Sequence, residues 1–390
     1  MRVLYANPIF LDYRVPYYKK LIDLFHNEFY IMYSPIRYRN RFDSLLKKIS
    51  KELGENAIEF QDEKVYNTST HSFNKYSSDG KNIPFAYKII NKIRRLRPDV
   101  IITEGFFQWT PWVILYKILF GAKIFMGYER TLHTERNTNW VQLLDRKASN
   151  IFIDGYLVNG SETKKYLQSI GVSSSKIFVA GMNADSDGLI SSIKTFSNDD
   201  RMMLKNRFKR TKNGLIFLFT GQIIKRKGID LLLEAWRDHI NEFPDDSLVI
   251  VGNGYLLNEL KQRFSAYESI YFEGRVEYDS IYKYYAISDV YIMPTIEDNW
   301  SLVIPEAMAC GLPVATTIYN GCHVELIKSG VNGFVFDSYK RETIISTLRE
   351  FHYVDLKKFG QASIEIEKKF NTDNCAQRTY DAIINVIRSH

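Results

Sequence analysis

Asp298 and Glu306 are separated by seven residues in the segment PTIEDNWSLVIPEAMACGLPV (294–314), and the apolar run that follows closes at Gly311 and Pro313. Gly followed by Pro punctuates a helix C-terminus, so the pattern predicts a short helix, roughly LVIPEAMAC, entered through the loop TIEDNWS. Its first turn, near Ser301, Leu302 and Val303, would offer unbonded amides and a positive dipole end to a phosphate. Glu306 would lie about one turn in. An ionised carboxylate only accepts hydrogen bonds, so Glu306 suits the hydroxyls of a ribose and Asp298 a sugar hydroxyl. Asn299 and Trp300 share the entry loop. Alone, the plainer reading of an exposed helix residue and a turn residue would prevail.

A second segment makes the first more specific. TGQIIKRKGIDLLLEAW places Gly221 and Gln222 after a strand, then Lys225, Arg226 and Lys227, then Gly228 before a helix. Glycines let the backbone approach a ligand, and three cations at a helix entrance suit a diphosphate. A tight turn with solvated lysines fits equally well if this segment is taken alone. In the first half, GYERTLHTERNTNW (127–140) follows a predicted strand and offers Glu129, Arg130, His133 and Arg136. His133 could sit near a transferred group, although an isolated loop histidine is more often structural or merely solvated.

These loops must be carried by regular elements, and the chain supplies them. Apolar strand-like runs alternate with amphipathic helical runs, the pattern of an α/β protein with parallel sheets covered on both faces. The first series is VLYAN, YIMY, AIEF, DVIITEG, KIFMGY, GYLVNG and KIFVAG. Helices are expected at VPYYKKLIDLF, AYKIINKIRRL, NWVQLLDRKA and SETKKYLQSIG, the last capped by Ser161 and stopped by Gly171. From about Ala184 to Lys212 the pattern lapses into a polar segment. A second series then runs LIFLFTG, SLVIVGNG, IYFEGR, VYIMPT, PVATT and GFVFD. Two Rossmann-like domains facing a cleft are expected, at 1–188 and 189–372, with a C-terminal helix at 373–390 packing back onto the first. Ligands of such sheets bind at the carboxyl ends of the strands.

Composition bounds the alternatives. The 390 residues, 45% hydrophobic and 14% aromatic, exclude a disordered chain and fit two cores. Cys310, Cys322 and Cys375 show no zinc-ligand spacing and no disulfide framework, so no metal is expected and a reducing cytoplasm fits. MRVLYANP reads directly as a strand and not as a signal peptide. PWVILYKILFGAKIFMGY is broken by Lys117, Gly121 and Lys123 and reads as helix, turn, strand. The formal charge of +7 fits a polyanionic partner: a nucleotide, an anionic membrane surface or a nucleic acid. Basic runs at 37–51 and 88–98 read as solvated helix faces or a membrane patch, and no nucleic-acid motif accompanies them.

GQIIKRKG, VIVGNG, YFEGRV and EDNWSLVIPEAMACGLPV, in this order, resemble the C-terminal domain of family 4 retaining glycosyltransferases of the GT-B fold, over about Leu215 to Phe336. The first half resembles that family more loosely, through YRVPYYKKL and YLVNGSETKKYLQSIGV. The resemblance implies a donor site in which Glu306 holds the ribose, Asp298 takes the place of the first acid and Lys227 neutralises the diphosphate. Gln222 stands where many members carry arginine, leaving Lys225 or Arg226 to supply that charge. Gly274, Arg275 and Val276 fall where the family binds the base. It further implies a retaining, metal-independent hexosyltransferase with a nucleoside diphosphate sugar as co-substrate, no other cofactor, and the leaving phosphate assisting deprotonation of the acceptor.

The acceptor expected is a glycan or lipid-linked glycan in bacterial cell-surface polysaccharide synthesis. Exposed-looking Tyr13, Tyr17 and Tyr18 and the basic runs fit contact with the inner face of an anionic membrane. The competing readings are a GT-B-fold epimerase or phosphorylase, and a non-catalytic basic binding protein.

Overall fold

The computed structural model describes residues 1–38, 42–67, 82–106, 108–182, 185–208, 211 and 213–388. Fifteen strands are described: β1 (Val3–Ala6), β2 (Phe29–Tyr33), β3 (Ala57–Glu59), β4 (Lys64–Asn67), β5 (Asn82–Phe85), β6 (Val100–Glu104), β7 (Lys123–Tyr128), β8 (Gly155–Val158), β9 (Ile177–Val179), β10 (Ile216–Thr220), β11 (Ser247–Val251), β12 (Ile270–Gly274), β13 (Val290–Met293), β14 (Val314–Thr317) and β15 (Gly333–Phe336). They form a seven-stranded sheet ordered β3-β2-β1-β6-β7-β8-β9, a six-stranded sheet ordered β12-β11-β10-β13-β14-β15, and the β4-β5 hairpin. Pairing in both large sheets is parallel. The hairpin, antiparallel, was not expected from the sequence.

The central strands β1, β8, β10, β11, β13 and β14 are buried throughout, which is why they read as apolar runs rather than as an alternation, whereas β3, β9, β12 and β15 nearer the sheet edges are only partly buried. In both sheets the chain moves outward in one direction, then returns to the middle and moves outward in the other. That reversal leaves a crevice at the carboxyl ends of β1 and β6 and another at those of β10 and β13.

The chain divides into two compact units, Met1–Met182 with Thr372–His390, and Asn183–Asn371. In the first, the helix Thr372–Arg388 lies along the helix Val15–Leu24 and shares a core with β1 and β2 through Ala376, Ala382 and Ile383. Tyr17 donates to or accepts from Thr379 at 2.8 Å, and Tyr18 is fully buried. This corrects the exposure expected for the tyrosines: Tyr17 and Tyr18 pack in the core of the unit, and Tyr13, half-buried in the turn Asp12–Arg14, lines a cavity. Gly160, not Ser161, is the N-cap of the helix Ser161–Ser169, because Ser161 already has helical geometry.

In the second unit the expected polar linker is largely helical. Ser186–Thr195 is capped by the Asp185 side chain on the Gly188 amide, and Asn198–Phe208 follows. Arg201 donates to the Ala286 carbonyl, Lys205 pairs with Asp289, and Phe208 is fully buried. Tertiary contacts of charged side chains thus supply what the sequence lacks in amphipathic period. Of the basic run 37–51, the helix Phe42–Leu53 is described with Ile49 and Leu53 buried and Lys47 and Lys51 exposed; the side chains at 37–46 lie outside the described residues.

Candidate functional site

The crevice of the second unit gathers the sequence-predicted residues. β10 ends at Thr220, and Gly221 (φ +149°) starts a loop that passes beneath the one after β11. A Cβ on Gly252 would lie 1.7 Å from the Gly221 carbonyl oxygen, and one on Gly254 2.1 Å from that of Ile223. The VGNG segment is therefore a close backbone crossing. Gln222, Lys225 and Arg226 are exposed on this loop, and Lys225–Lys227 form one turn of 3-10 helix. Gly228 (φ +64°) opens the helix Ile229–Glu242, and a Cβ there would meet the Pro294 carbonyl oxygen at 2.1 Å. Only glycine combines the left-handed conformation with that approach.

The approach seats the loop after β10 against the loop after β13. The Ile296 amide and the Thr295 hydroxyl both donate to the Arg226 carbonyl, at 3.0 Å each. Lys227 Nζ reaches Asp298 Oδ2 at 2.5 Å, and the Ser301 hydroxyl donates to the same oxygen at 2.7 Å. Arg226 donates to the Glu297 carbonyl at 2.8 Å and stands 3.7 Å from Asp298 Oδ2. Burial pushes the Asp298 carboxyl up, but the Lys227 ammonium, the Ser301 hydroxyl and Arg226 outweigh it and hold its pKa below the ordinary value. Lys225 is engaged elsewhere: its ammonium pairs with Asp230, and its amide donates to the Tyr255 hydroxyl. Of the two residues expected to stand in for Gln222, Arg226 is the one that faces Asp298.

The first turn of the expected phosphate helix needs correction. The helix is Val303–Ala309, and the Ser301 amide is taken by Asn320 Oδ1 at 3.3 Å, as the Trp300 amide is by Asp298 Oδ1 at 3.3 Å. Asp298 thus folds its own loop as an Asx turn, which uses amides that were expected to be open. Leu302 and Val303 keep amides with no intramolecular acceptor among the described residues. Trp300 is buried against Phe370 and supports the loop from behind, while its Nε1 and Asn299 Oδ1 have no hydrogen-bond partner among the described residues.

Glu306 is not an exposed helix residue. It is 7% exposed, and its two oxygens accept from Tyr285 at 2.9 Å and Tyr278 at 3.2 Å. Burial raises its pKa to about 7, against the opposing hydrogen bonds of the two tyrosines. Tyr285 continues to the Thr220 hydroxyl at 3.1 Å, which also meets Tyr291 at 3.0 Å, so the end of β10 and Glu306 share one buried network. Gly274 (φ +73°) ends β12 and holds the Gly252 amide at 2.7 Å. Arg275 is exposed and paired with Glu277, with Val276 half-buried between them.

The crevice of the first unit contains a cavity of about 280 Å³ that the sequence reading located only in part. Glu129 and Arg130 line it; His133 and Arg136 do not, and Arg136 instead donates to the His133 carbonyl at 2.6 Å. Its floor is Glu104, at the end of β6. Arg14 reaches Glu104 at 2.5 Å and the Tyr5 hydroxyl at 2.6 Å, and Asn7 donates to the other Glu104 oxygen at 3.1 Å. Gln108 adopts φ +66°, and its buried Oε1 has no partner among the described residues. The available signal was a charged residue at each strand's carboxyl end, ITEG for Glu104 and NPIFLDYR for Arg14.

Among the described residues, His239, Asp246 and His352 form the cluster whose ligand atoms, within 4.8 Å of one another, could hold a metal. Both histidine Nε2 atoms already bond Asp246 Oδ2, at 2.8 and 2.7 Å, and Oδ1 accepts the Leu215 amide at 2.8 Å. Asp246 precedes β11, at the amino end of the sheet, away from the loops above. The cluster pins a helix end and two strand starts.

Residues 200–353 match the family model described as glycosyl transferases group 1. An uncharacterized glycosyltransferase of Haemophilus influenzae is 30% identical over 159 residues, 40% of this chain and 44% of that protein, so the chain spans less than half of that relative's length. A sulfoquinovosyl transferase of Arabidopsis thaliana is 23% identical over 365 residues, covering 86% of this chain and 68% of that protein. The solved structure of Anabaena Alr3699/HepE in complex with UDP superposes with a TM-score of 0.75 at 15% identity, covering 99% of this chain and 100% of that one. Both units have the parallel-sheet α/β fold of GT-B glycosyltransferase structures.

Proposed function

We propose that this chain is a glycosyltransferase that moves a hexosyl group from a nucleoside diphosphate sugar to an acceptor hydroxyl, with retention and without a metal or further cofactor. The observation that carries the reading is the convergence of Lys227, Arg226 and Asp298 at the paired ends of β10 and β13, beside the buried Glu306. The match to the group 1 model over these elements supports it.

In this reading Lys227 exchanges Asp298 for the donor diphosphate. Asp298, released, accepts from a sugar hydroxyl, while Glu306 accepts from the ribose. Lys227 and Arg226 then face the negative charge that grows on the leaving diphosphate, in positions fixed before reaction by the loop contacts. The leaving phosphate takes the acceptor proton on the same face. Gly274, Arg275 and Val276 border the base through backbone groups. The polar cavity over Glu104 receives the acceptor, a glycan or lipid-linked glycan of a cell-surface polysaccharide pathway. In this reading the chain works on the cytoplasmic side, in contact with anionic membrane.

Calorimetry with UDP, GDP, ADP and their sugar conjugates tests this. UDP is the first probe, since the Anabaena protein was solved with it. Micromolar binding of one nucleotide, and its release from the sugar conjugate in the presence of acceptor, is the expected result; binding of none would refute the reading.

A further inference from the structure

In the first unit the helices Thr110–Phe120 and Trp140–Asn150 are built inside out. A surface helix ordinarily turns polar residues outward. Here Thr110, Val113 and Tyr116 face the core, while Leu115, Ile118 (59% exposed), Leu119 (57%) and Phe120 face outward. On the second helix the buried side chain is Arg146, and Leu143 packs inward. Its outward line is Val141, Leu144, Ala148 and, one turn on, Ile151 (75% exposed), with Trp140 (72%) at the start.

The two helices are tied to one another at their C-terminal ends. Lys117 Nζ donates to the Phe152 carbonyl at 2.8 Å and to Asp154 at 2.5 Å. Ile118 and Ile151 are the sequence neighbours of the two ends of that tie. The edge is cationic: the helix Ile89–Leu96 packs on Thr110–Phe120, and Arg94 lies 5.3 Å from the centre of the Phe120 ring. Arg95 and Arg97 are exposed at the C-terminal end of the helix Ile89–Leu96, and Lys147 is exposed on Trp140–Asn150. Across the sequences of the three helices the single carboxylate is Asp145. No described helix is long and apolar enough to cross a membrane.

We propose that the outward faces of Thr110–Phe120 and Trp140–Asn150 dock the chain on an anionic lipid surface, with the apolar side chains entering the interface and Arg94, Arg95, Arg97 and Lys147 meeting the headgroup phosphates. Trp140 at the rim suits the boundary between headgroups and hydrocarbon, and clustered Lys and Arg beside an apolar face suit acidic lipid. A second copy meeting this face by two-fold symmetry would bring the same cations toward one another. The inference specifies the membrane contact in the function proposed above, yet docking requires no turnover and is measured without it.

The test is flotation of the full chain with vesicles of phosphatidylcholine and phosphatidylglycerol, against phosphatidylcholine alone. Wild type should float about tenfold more with the acidic vesicles, less so in high salt. The double variants Ile118→Glu/Leu119→Glu and Trp140→Ser/Leu144→Glu should each lose about tenfold, and Arg94→Glu/Arg95→Glu should lose the preference for acidic lipid. All these side chains are exposed, so an unchanged thermal midpoint and unchanged nucleotide binding are expected. Absence of flotation, or equal flotation of wild type and the apolar variants, overturns the proposal. So does a wild-type dimer in sedimentation that the same substitutions abolish without any lipid binding. Flotation without nucleotide binding would retain the docking surface and refute the enzymatic reading; nucleotide binding without flotation would do the reverse.

Discussion

The carboxyl of Glu306 is largely buried, and its pKa of about 7 gives two linked outcomes. Between the ordinary glutamate pKa and about 7 the folded chain keeps a proton that the unfolded chain has released, so this group's contribution to stability falls as pH rises through that window. Glu306→Gln should remove the effect, raising stability at pH 8 by up to roughly 3 kcal/mol and leaving it nearly unchanged in acid, as read by urea unfolding at the two pH values. Ribose hydroxyls would donate to the ionised form. Nucleotide affinity should therefore weaken by about tenfold per unit as pH drops below 7, and a flat calorimetric profile would remove Glu306 from the donor site. Lys227 tests differently, because it neutralises a buried carboxylate before any ligand arrives. Lys227→Ala should destabilise the chain by about 3 kcal/mol as well as abolish diphosphate binding. In Lys227→Met/Asp298→Asn, which removes both charges, much of the stability should return while nucleotide binding stays lost; recovery of both in calorimetry would contradict the role assigned to Lys227.

At the scale of elements, the loops after β10 and β13 are held together by close backbone approach at a glycine as well as by side chains. Gly228→Ala places a Cβ against the Pro294 carbonyl in a left-handed conformation, so the loop after β10 must lift from the loop after β13. A loss of more than about 2 kcal/mol is expected, and nucleotide binding should fall with it; an unperturbed thermal midpoint would show that the two loops are not locked as described. The glycines of GQIIKRKG were legible as turn residues. Which carbonyls they approach was not, since those contacts join strands that are distant in sequence. The same limit hid the Asp246 hub, whose partners Leu215, His239 and His352 come from three separate segments.

At the scale of the whole molecule, the first unit is assembled from both ends of the chain. The helix Thr372–Arg388 covers Tyr17, Phe25 and the face of β1 and β2 with Ala376, Tyr380, Ala382 and Ile383. Deleting residues 372–390 should therefore unfold or aggregate the first unit while the second remains cooperative. Two resolved thermal transitions in the full chain, with the transition of the first unit lost on truncation, would be seen in calorimetry; an unaltered profile would contradict the packing.

The strand runs of both sheets and the acidic pair 298/306 could be read from the sequence, because buried parallel strands are continuously apolar and helix punctuation is local. The sequence also placed Lys225, Arg226 and Lys227 on one loop. Only the tertiary structure decided their partners: Lys227 on Asp298, Lys225 on Asp230, Glu306 under two tyrosines. It also turned the helices Thr110–Phe120 and Trp140–Asn150 outward on their apolar sides and set Arg14 on Glu104 across 90 residues of chain. The physical reason is the range of the forces: periodicity and caps act within a few residues, whereas burial, charge pairing and close backbone approach depend on which distant segments the sheets bring side by side.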